Sequence, residues 1–269
     1  VQARMGSTRF PGKVMMPICG TPMIGLLLRR LADSTLVDQV ILATSKVSCN
    51  DPLAEYVQKL GYSVFRGDED DVLDRYYIAA KEVAADSVVR VTGDCPLIDP
   101  VVVDEVISKF HNDGVDYASN TLPPTYPDGL DIEVFTFRAL ETAWNQAKAD
   151  GEREHVTPFI RESGKFSCVN VAYEIDLSDE RWTVDEPQDF EVVRKVFEHF
   201  NPQSDFSWLD VLELRREQQD WFMANRHIPR NQGSQQSLGQ KLWKRAKRVI
   251  PGGNMLLSKR AEMFLPEQW

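Results

Sequence analysis

Short apolar, β-branched runs alternate along this chain with longer stretches whose apolar residues recur at three- and four-residue spacing. Residues 39–44, 63–66, 87–92, 132–135, 166–172 and 181–184 read as strands. Two of the runs, Val40-Ile41-Leu42-Ala43 and Val88-Val89-Arg90-Val91, place apolar residues on both faces, the pattern of strands covered by helices on each side. Helix starts share one grammar, a capping residue and then proline: Thr21-Pro22, Asp51-Pro52, Asp99-Pro100 and Glu186-Pro187. Val72, Leu73, Tyr76 and Ala80 form one helical stripe, which is a core face, and Gly61 and Gly114 sit where helices should stop. The pattern predicts a three-layer α/β/α fold with a mostly parallel sheet. Residues 120–131 (NTLPPTYPDGLD) break the alternation and predict a long functional loop or the entry to a subdomain. Residues 207–225 read as irregular helix, and residues 230–239 (RNQGSQQSLG) have no apolar period and read as a linker. No internal repeat is visible.

Composition adds the boundary and excludes several classes of function. With 269 residues, 42% of them hydrophobic, the chain buries a core without a disulfide scaffold. The net charge of −10 argues against a general nucleic-acid or anionic-membrane binder and leaves room only for a local basic pocket. Residues 241–269 hold seven Lys or Arg against two Asp or Glu, so the remaining 240 carry all of the acidity. The expected organisation is a catalytic domain at 1–229, a polar linker at 230–240 and a separate segment at 241–269. Cys19, Cys49, Cys95 and Cys168 are scattered, with neither a CxxC pair nor histidines spaced to complete a zinc set, as in a reduced, cytoplasmic protein. No apolar run approaches the ~18 residues of a membrane span, and no basic-then-apolar leader opens the chain. Val1 runs straight into a phosphate-loop-like segment, so the apolar residues of a first strand are expected upstream of it.

The opening VQARMGSTRFPGK sets Arg4, Arg9 and Lys13 around Gly6, Ser7, Thr8, Pro11 and Gly12. Backbone amides exposed by glycine, together with three cations, suit a polyphosphate. The Walker pattern is missed, because five residues separate Gly6 from Gly12 and Val14 stands where a magnesium-binding hydroxyl is needed; no GxGxxG is present. Asp94 and Asp185 each end an apolar strand, at the edge where open α/β sheets bind ligands. Two such carboxylates suit Mg²⁺, which keeps waters and phosphate oxygens as further ligands; alternatively each caps a turn or the following helix. Asp68-Glu69-Asp70-Asp71 contains the D-x-D of metal-dependent glycosyltransferases but reads better as an acidic helix N-terminus. Asp128-Gly129 also reads as an ordinary turn, and Glu154 and His155 as the start of a helix.

RMGSTRFPGK resembles the signature loop of the cytidylyltransferases that make CMP-activated acidic sugars, and within them the spore-coat polysaccharide branch. Segments like that branch follow in order: RGDEDDVLDRY (66–76), VRVTGDCPLIDP (89–100), YPDGLDIEVF (126–135), EREHVTPFI (152–160) and RWTVDEPQDF (181–190). The resemblance spans residues 1 to about 235 and implies a Rossmann-like nucleotide-diphospho-sugar transferase fold. It implies transfer of CMP from CTP to a sugar, with Mg²⁺ as cofactor, pyrophosphate as second product, and CTP and the sugar as partners; a homodimer fits it. By the same resemblance Arg4, Met5, Gly6, Ser7, Arg9, Lys13, Arg75 and Asp94 face the nucleotide, and Asp94 and Asp185 hold the metal. Arg4, Lys13, Asp94 and Asp185 would carry the chemistry, with Asp128, Asp131, Glu133, Arg153 and His155 on the sugar side. Two other readings stand beside it: a glycosyltransferase, which leaves the cationic opening loop unexplained, and a non-catalytic nucleotide-binding domain. Residues 242–269, with Ile250-Pro251-Gly252-Gly253, resemble the first segment of class III pyridoxal-phosphate aminotransferases, so an aminotransferase domain is expected in the same full-length polypeptide. The cofactor lysine of such enzymes would lie far downstream.

Overall fold

In the computed structural model, which describes residues 1–203 and 205–230, a hairpin of β1 (Pro17–Ile18) and β2 (Thr21–Pro22) leads into α1 (Met23–Ala32). Thr21-Pro22 is thus a short strand before the helix rather than its first turn. The alternation then runs β3 (Ile41–Ser45), α2 (Asp51–Lys59), β4 (Ser63–Gly67), α3 (Val72–Glu82), β5 (Ser87–Arg90), α4 (Pro100–Asp113) and β6 (Tyr117–Ser119). Beyond the proline-rich loop come β7 (Glu133–Thr136), α5 (Phe137–Gln146), α6 (Asp150–His155), α7 (Pro158–Glu162), β8 (Cys168–Asn170), α8 (Pro187–Phe200), α9 (Trp208–Glu217) and α10 (Gln219–Met223). The predicted starts at Asp51, Pro100 and Pro187 are met. At α4 the Asp99 carboxylate accepts from the amides of Val101 and Val102, and Gly114 ends the helix in the left-handed conformation. Apart from Arg230, the expected linker and the segment 241–269 lie outside the described residues.

Adjacent strand residues feed two separate cores. Tyr117 and Phe135 pack with α3, α5 and α7, whereas their neighbours Ala118 and Val134 pack with α1, α4 and α8. Because successive strand side chains point to opposite faces, this division puts helices on both sides of the sheet and makes the three layers. The predicted Val72–Ala80 stripe is buried in the first of these cores.

The sheet is mixed, which corrects the expectation of a mostly parallel one. β3 pairs parallel with β4, and β6 with β8, but β7 runs antiparallel to both β5 and β6. Residues 1–3 lie between the two halves: Gln2 bridges in parallel to Ala43 and to Thr92. The loop of residues 120–132 reverses the chain without a crossover helix, so β7 returns antiparallel to β6. A strand buried on both faces carries no mark of its direction. The run 181–184 forms no strand of its own. It lies along the loop, with Trp182 donating to Asp128 O at 2.6 Å and Val184 donating to Asp94 O at 2.8 Å. Those two bonds bring Asp94 and Asp185 together.

Gly129 sits at φ +116°, and a Cβ there would lie 2.6 Å from the Thr183 amide nitrogen. Gly129→Ala is therefore expected to cost about 2 kcal/mol or more, by strain and by parting the loop from residues 181–184. A melting temperature equal to that of the wild type would contradict this packing. No helix among the described residues is long and apolar enough to cross a membrane.

Candidate active site

The basic opening segment folds into a closed loop. The Met5 carbonyl accepts from the amides of both Ser7 and Gly12, Ser7 Oγ accepts from the Phe10 amide, and Asn50 Oδ1 accepts from the Met5 amide at 2.7 Å. Gly12 is left-handed (φ +74°), which turns the chain into a short 3₁₀ helix at Lys13–Met15 and sends the Lys13 side chain inward. The Phe10 ring packs edge-on against Phe190, tying the loop to α8.

Lys13, only 7% exposed, places Nζ 2.9 Å from Asp185 Oδ1, 3.3 Å from Asp94 Oδ2 and 2.6 Å from the Val184 carbonyl. Desolvation pulls the ammonium pKa down, but the charges and hydrogen bonds of Asp94 and Asp185 outweigh it and hold the pKa above the ordinary lysine value. For Asp185 desolvation acts upward; Lys13, then Arg9 and Arg181, hold its carboxyl below the ordinary range. Arg9 pairs with Asp185 Oδ1 at 3.0 Å and with Glu186 at 3.4 Å. The Cys95 thiol, 3.6 Å from Asp94, is pushed well up in pKa by burial and by the charges of Asp94 and Asp131, so it is a neutral neighbour and no nucleophile.

Behind Asp185 lies a second, buried layer. Arg181 donates through Nε and one terminal nitrogen to the two oxygens of Asp189 (both 2.9 Å), to Asp128 Oδ2 at 3.0 Å and to Asp185 Oδ2 at 3.2 Å. Asp189 Oδ2 also accepts from the amides of Asp185 and Glu186, and Asn225 donates to Asp189 Oδ1 and to the Arg181 carbonyl. In all, the cations Arg9, Lys13 and Arg181 face the carboxylates of Asp94, Asp128, Asp185, Glu186 and Asp189. The pairing of Asp94 with Asp185 across one ammonium fits a divalent cation that takes its other ligands from water and phosphate. The described residues offer no cluster of three or more protein ligands that would enclose a metal.

Arg4 and Arg75 meet elsewhere, around Glu69. Arg4 pairs with Glu69 Oε1 at 2.9 Å; Arg75, 3% exposed, reaches the carbonyls of Ala43 and Glu69 at 3.4 and 3.5 Å and leaves Nε buried without a partner. The acidic run beside them is spent on local structure. Asp68 accepts from the amides of Asp70 and Asp71, and Asp71 caps α3 through the Asp74 amide.

The residues expected on the sugar side fall into two groups. Asp128 is buried against Arg181, Arg153 is locked on Asp71 and the Trp144 carbonyl, and Glu133 is buried with Arg90, Tyr117 and Thr157. Asp131 is half-buried just ahead of β7, and His155 is exposed at the end of α6. Although burial acts upward on its pKa, Arg90 and the hydroxyls of Thr157 and Tyr117 hold the Glu133 carboxyl below the ordinary range. Its ionised form therefore stabilises the fold above that range, and the contribution is lost as pH falls through the lowered pKa. Glu133→Gln strands Arg90 and should cost about 3 kcal/mol or more near neutral pH. Acid should then weaken the wild type more than the variant, and parallel denaturation curves in acid would contradict this role.

Sequence reasoning missed Arg181, Asp189, Asn50 and Asn225. Arg181 and Asp189 stand four residues before and four after Asp185, a symmetric signal that was there to read. Asn50 lies just before the Asp51-Pro52 helix start, whereas nothing local marks Asn225.

The family described as Cytidylyltransferase matches residues 1–225. A cytidylyltransferase structure from Leptospira borgpetersenii is 35% identical, with a TM-score of 0.79, over 86% of this chain and 95% of that one. The spore coat polysaccharide biosynthesis protein SpsF of Bacillus subtilis is 31% identical over 222 residues, 80% of this chain and 91% of its own length. The structure of CMP:2-keto-3-deoxy-manno-octonic acid synthetase complexed with CTP shares the fold at 20% identity, with a TM-score of 0.56 over 74% of this chain and 96% of that one. None of these similarities carries the aminotransferase resemblance of residues 242–269.

Proposed function

The chain belongs to the cytidylyltransferase family, and from that premise we propose that it transfers CMP from CTP to a sugar hydroxyl, releasing pyrophosphate, to supply surface polysaccharide synthesis. The observation that carries this is the Lys13 ammonium set between Asp94 and Asp185 under a basic, glycine-turned loop. Gly6 brings its backbone to the nucleotide, and Met5 and Ser7, whose amides are bonded within the site, hold the loop that presents it. Arg9 and Lys13 supply fixed positive charge for the triphosphate, and their placement beforehand spares reorganisation during the reaction. Arg4, expected among the residues that carry the chemistry, is instead drawn with Arg75 onto Glu69, and both are assigned to the nucleotide. Asp94 and Asp185 would hold Mg²⁺, which when bound supplies Lewis-acid polarisation of the α-phosphate.

On the sugar side, Asp131 and His155 meet the substrate, and Asp128, Glu133 and Arg153 act through the residues they hold. The resemblance points to an acidic or amino-modified sugar, and of the two the Asp131 carboxylate suits the amino-modified one, since Arg153 is held by Asp71. The glycosyltransferase reading leaves the cationic opening loop unexplained, and the Asp68 carboxylate of its D-x-D is engaged by the amides of Asp70 and Asp71 ahead of α3. CTP should bind more tightly than ATP, GTP or UTP in calorimetric titrations with Mg²⁺; equal affinities would refute the assignment to cytosine.

Residues 241–269 are read, on their resemblance alone, as the opening of an aminotransferase domain joined by the linker of residues 230–240. Among the described residues the proposed site draws on nothing beyond Asn225, so a chain stopped after Asn231 should retain the turnover of the full chain. A folded but inactive truncation, restored by adding back the missing segment, would place part of the site in that segment.

A further inference from the structure

Asp185 uses its two oxygens differently. Oδ1 faces Lys13 and Arg9, on the side of Asp94, while Oδ2 is taken by Arg181 from behind at 3.2 Å. Arg181 itself has no freedom to follow a moving carboxylate. Its Nε and the same terminal nitrogen are forked onto Asp189, its other terminal nitrogen is on Asp128, and its backbone carbonyl is held by Asn225. Asp189 completes the frame by accepting the Asp185 and Glu186 amides, which fixes the main chain at Asp185 as well. A planar guanidinium held at three points is a rigid template; a lysine in its place would be a single mobile charge.

We infer that Arg181 is a positioning residue for the transfer reaction: braced by Asp189 and by Asn225 from beyond α10, it pins Asp185 Oδ2 so that Oδ1 alone is turned toward Asp94 and the reaction centre. This rests on the reading of Asp185 as a metal-holding carboxylate. It also gives the segment that follows α10 a part in positioning the site, since Asn225, 1% exposed, lies 36 residues after Asp189 and closes the frame. Partners behind a metal-binding group set its orientation, and their loss commonly costs about 10- to 100-fold in metal affinity or activity.

The test is calorimetric titration of the full chain with CTP, once with saturating Mg²⁺ and once with EDTA. The readout is the gain in affinity that the metal confers. Arg181→Lys keeps the buried charge but loses the fork, and should forfeit about tenfold of that gain while leaving the metal-free affinity for CTP unchanged. Asn225→Ala, which leaves every charge in place, should lose less in the same sense, and it decides the matter if Arg181→Lys does not fold. Full metal-dependent gain in both variants, with the gain abolished in Asp185→Asn, would overturn the positioning role and leave the assignment of Asp185 standing. Equal weakening with and without Mg²⁺ would also overturn it, by showing a general structural role. Full gain in Asp185→Asn would instead remove the reading of Asp185 on which the inference rests.

Discussion

Asp185→Asn is expected to cut turnover by about 10²-fold or more while leaving the protein folded, and Asp94→Asn should do the same. The change removes a charge and keeps the shape. Lys13 would still find an amide oxygen, and the Arg181–Asp189 frame would keep its main bonds. What is lost is the second negative charge across the ammonium, on which a divalent cation would depend. Initial rates at saturating CTP and Mg²⁺, with melting temperatures as a check on folding, measure this. Near-normal turnover in a folded Asp94→Asn or Asp185→Asn protein would contradict the proposed centre.

The second large effect is expected at Lys13. Lys13→Met should weaken CTP binding by about 10²-fold and CMP binding far less, because the missing ammonium serves the β- and γ-phosphates that CMP lacks. The variant also leaves Asp94 and Asp185 facing each other with no counter-ion between them. Added Mg²⁺ should therefore raise its melting temperature more than it raises that of the wild type. Equal loss of affinity for CTP and CMP would contradict the assignment of Lys13 to the triphosphate.

How much of this was legible in the sequence depended on whether the signal was local. Helix starts at Asp51, Pro100 and Pro187 are written in neighbouring residues, and so is the Val72–Ala80 core face. Strand direction is not local, so the antiparallel β7 escaped the pattern of apolar runs. The same distinction holds at the site. Lys13, Asp94 and Asp185 were visible as a cation in a glycine-containing loop and two carboxylates at strand ends, and the structure brings them within hydrogen-bond reach. Glu133, Asp128 and Arg153 looked identical in sequence to substrate contacts, but their partners Arg90, Arg181 and Asp71 are 43, 53 and 82 residues away in the chain, and only the fold reveals them. Asn225 was illegible for the same reason.

The central claim is tested most directly by incubating the full chain with Mg²⁺, each of the four nucleoside triphosphates in turn and a panel of acidic and amino-modified sugars, and measuring pyrophosphate release. The account predicts release with CTP, dependent on one class of sugar and matched mole for mole by a CMP-sugar. Pyrophosphate formed equally from all four triphosphates, or sugar transferred from a nucleotide-sugar to an acceptor with no pyrophosphate released, would contradict it.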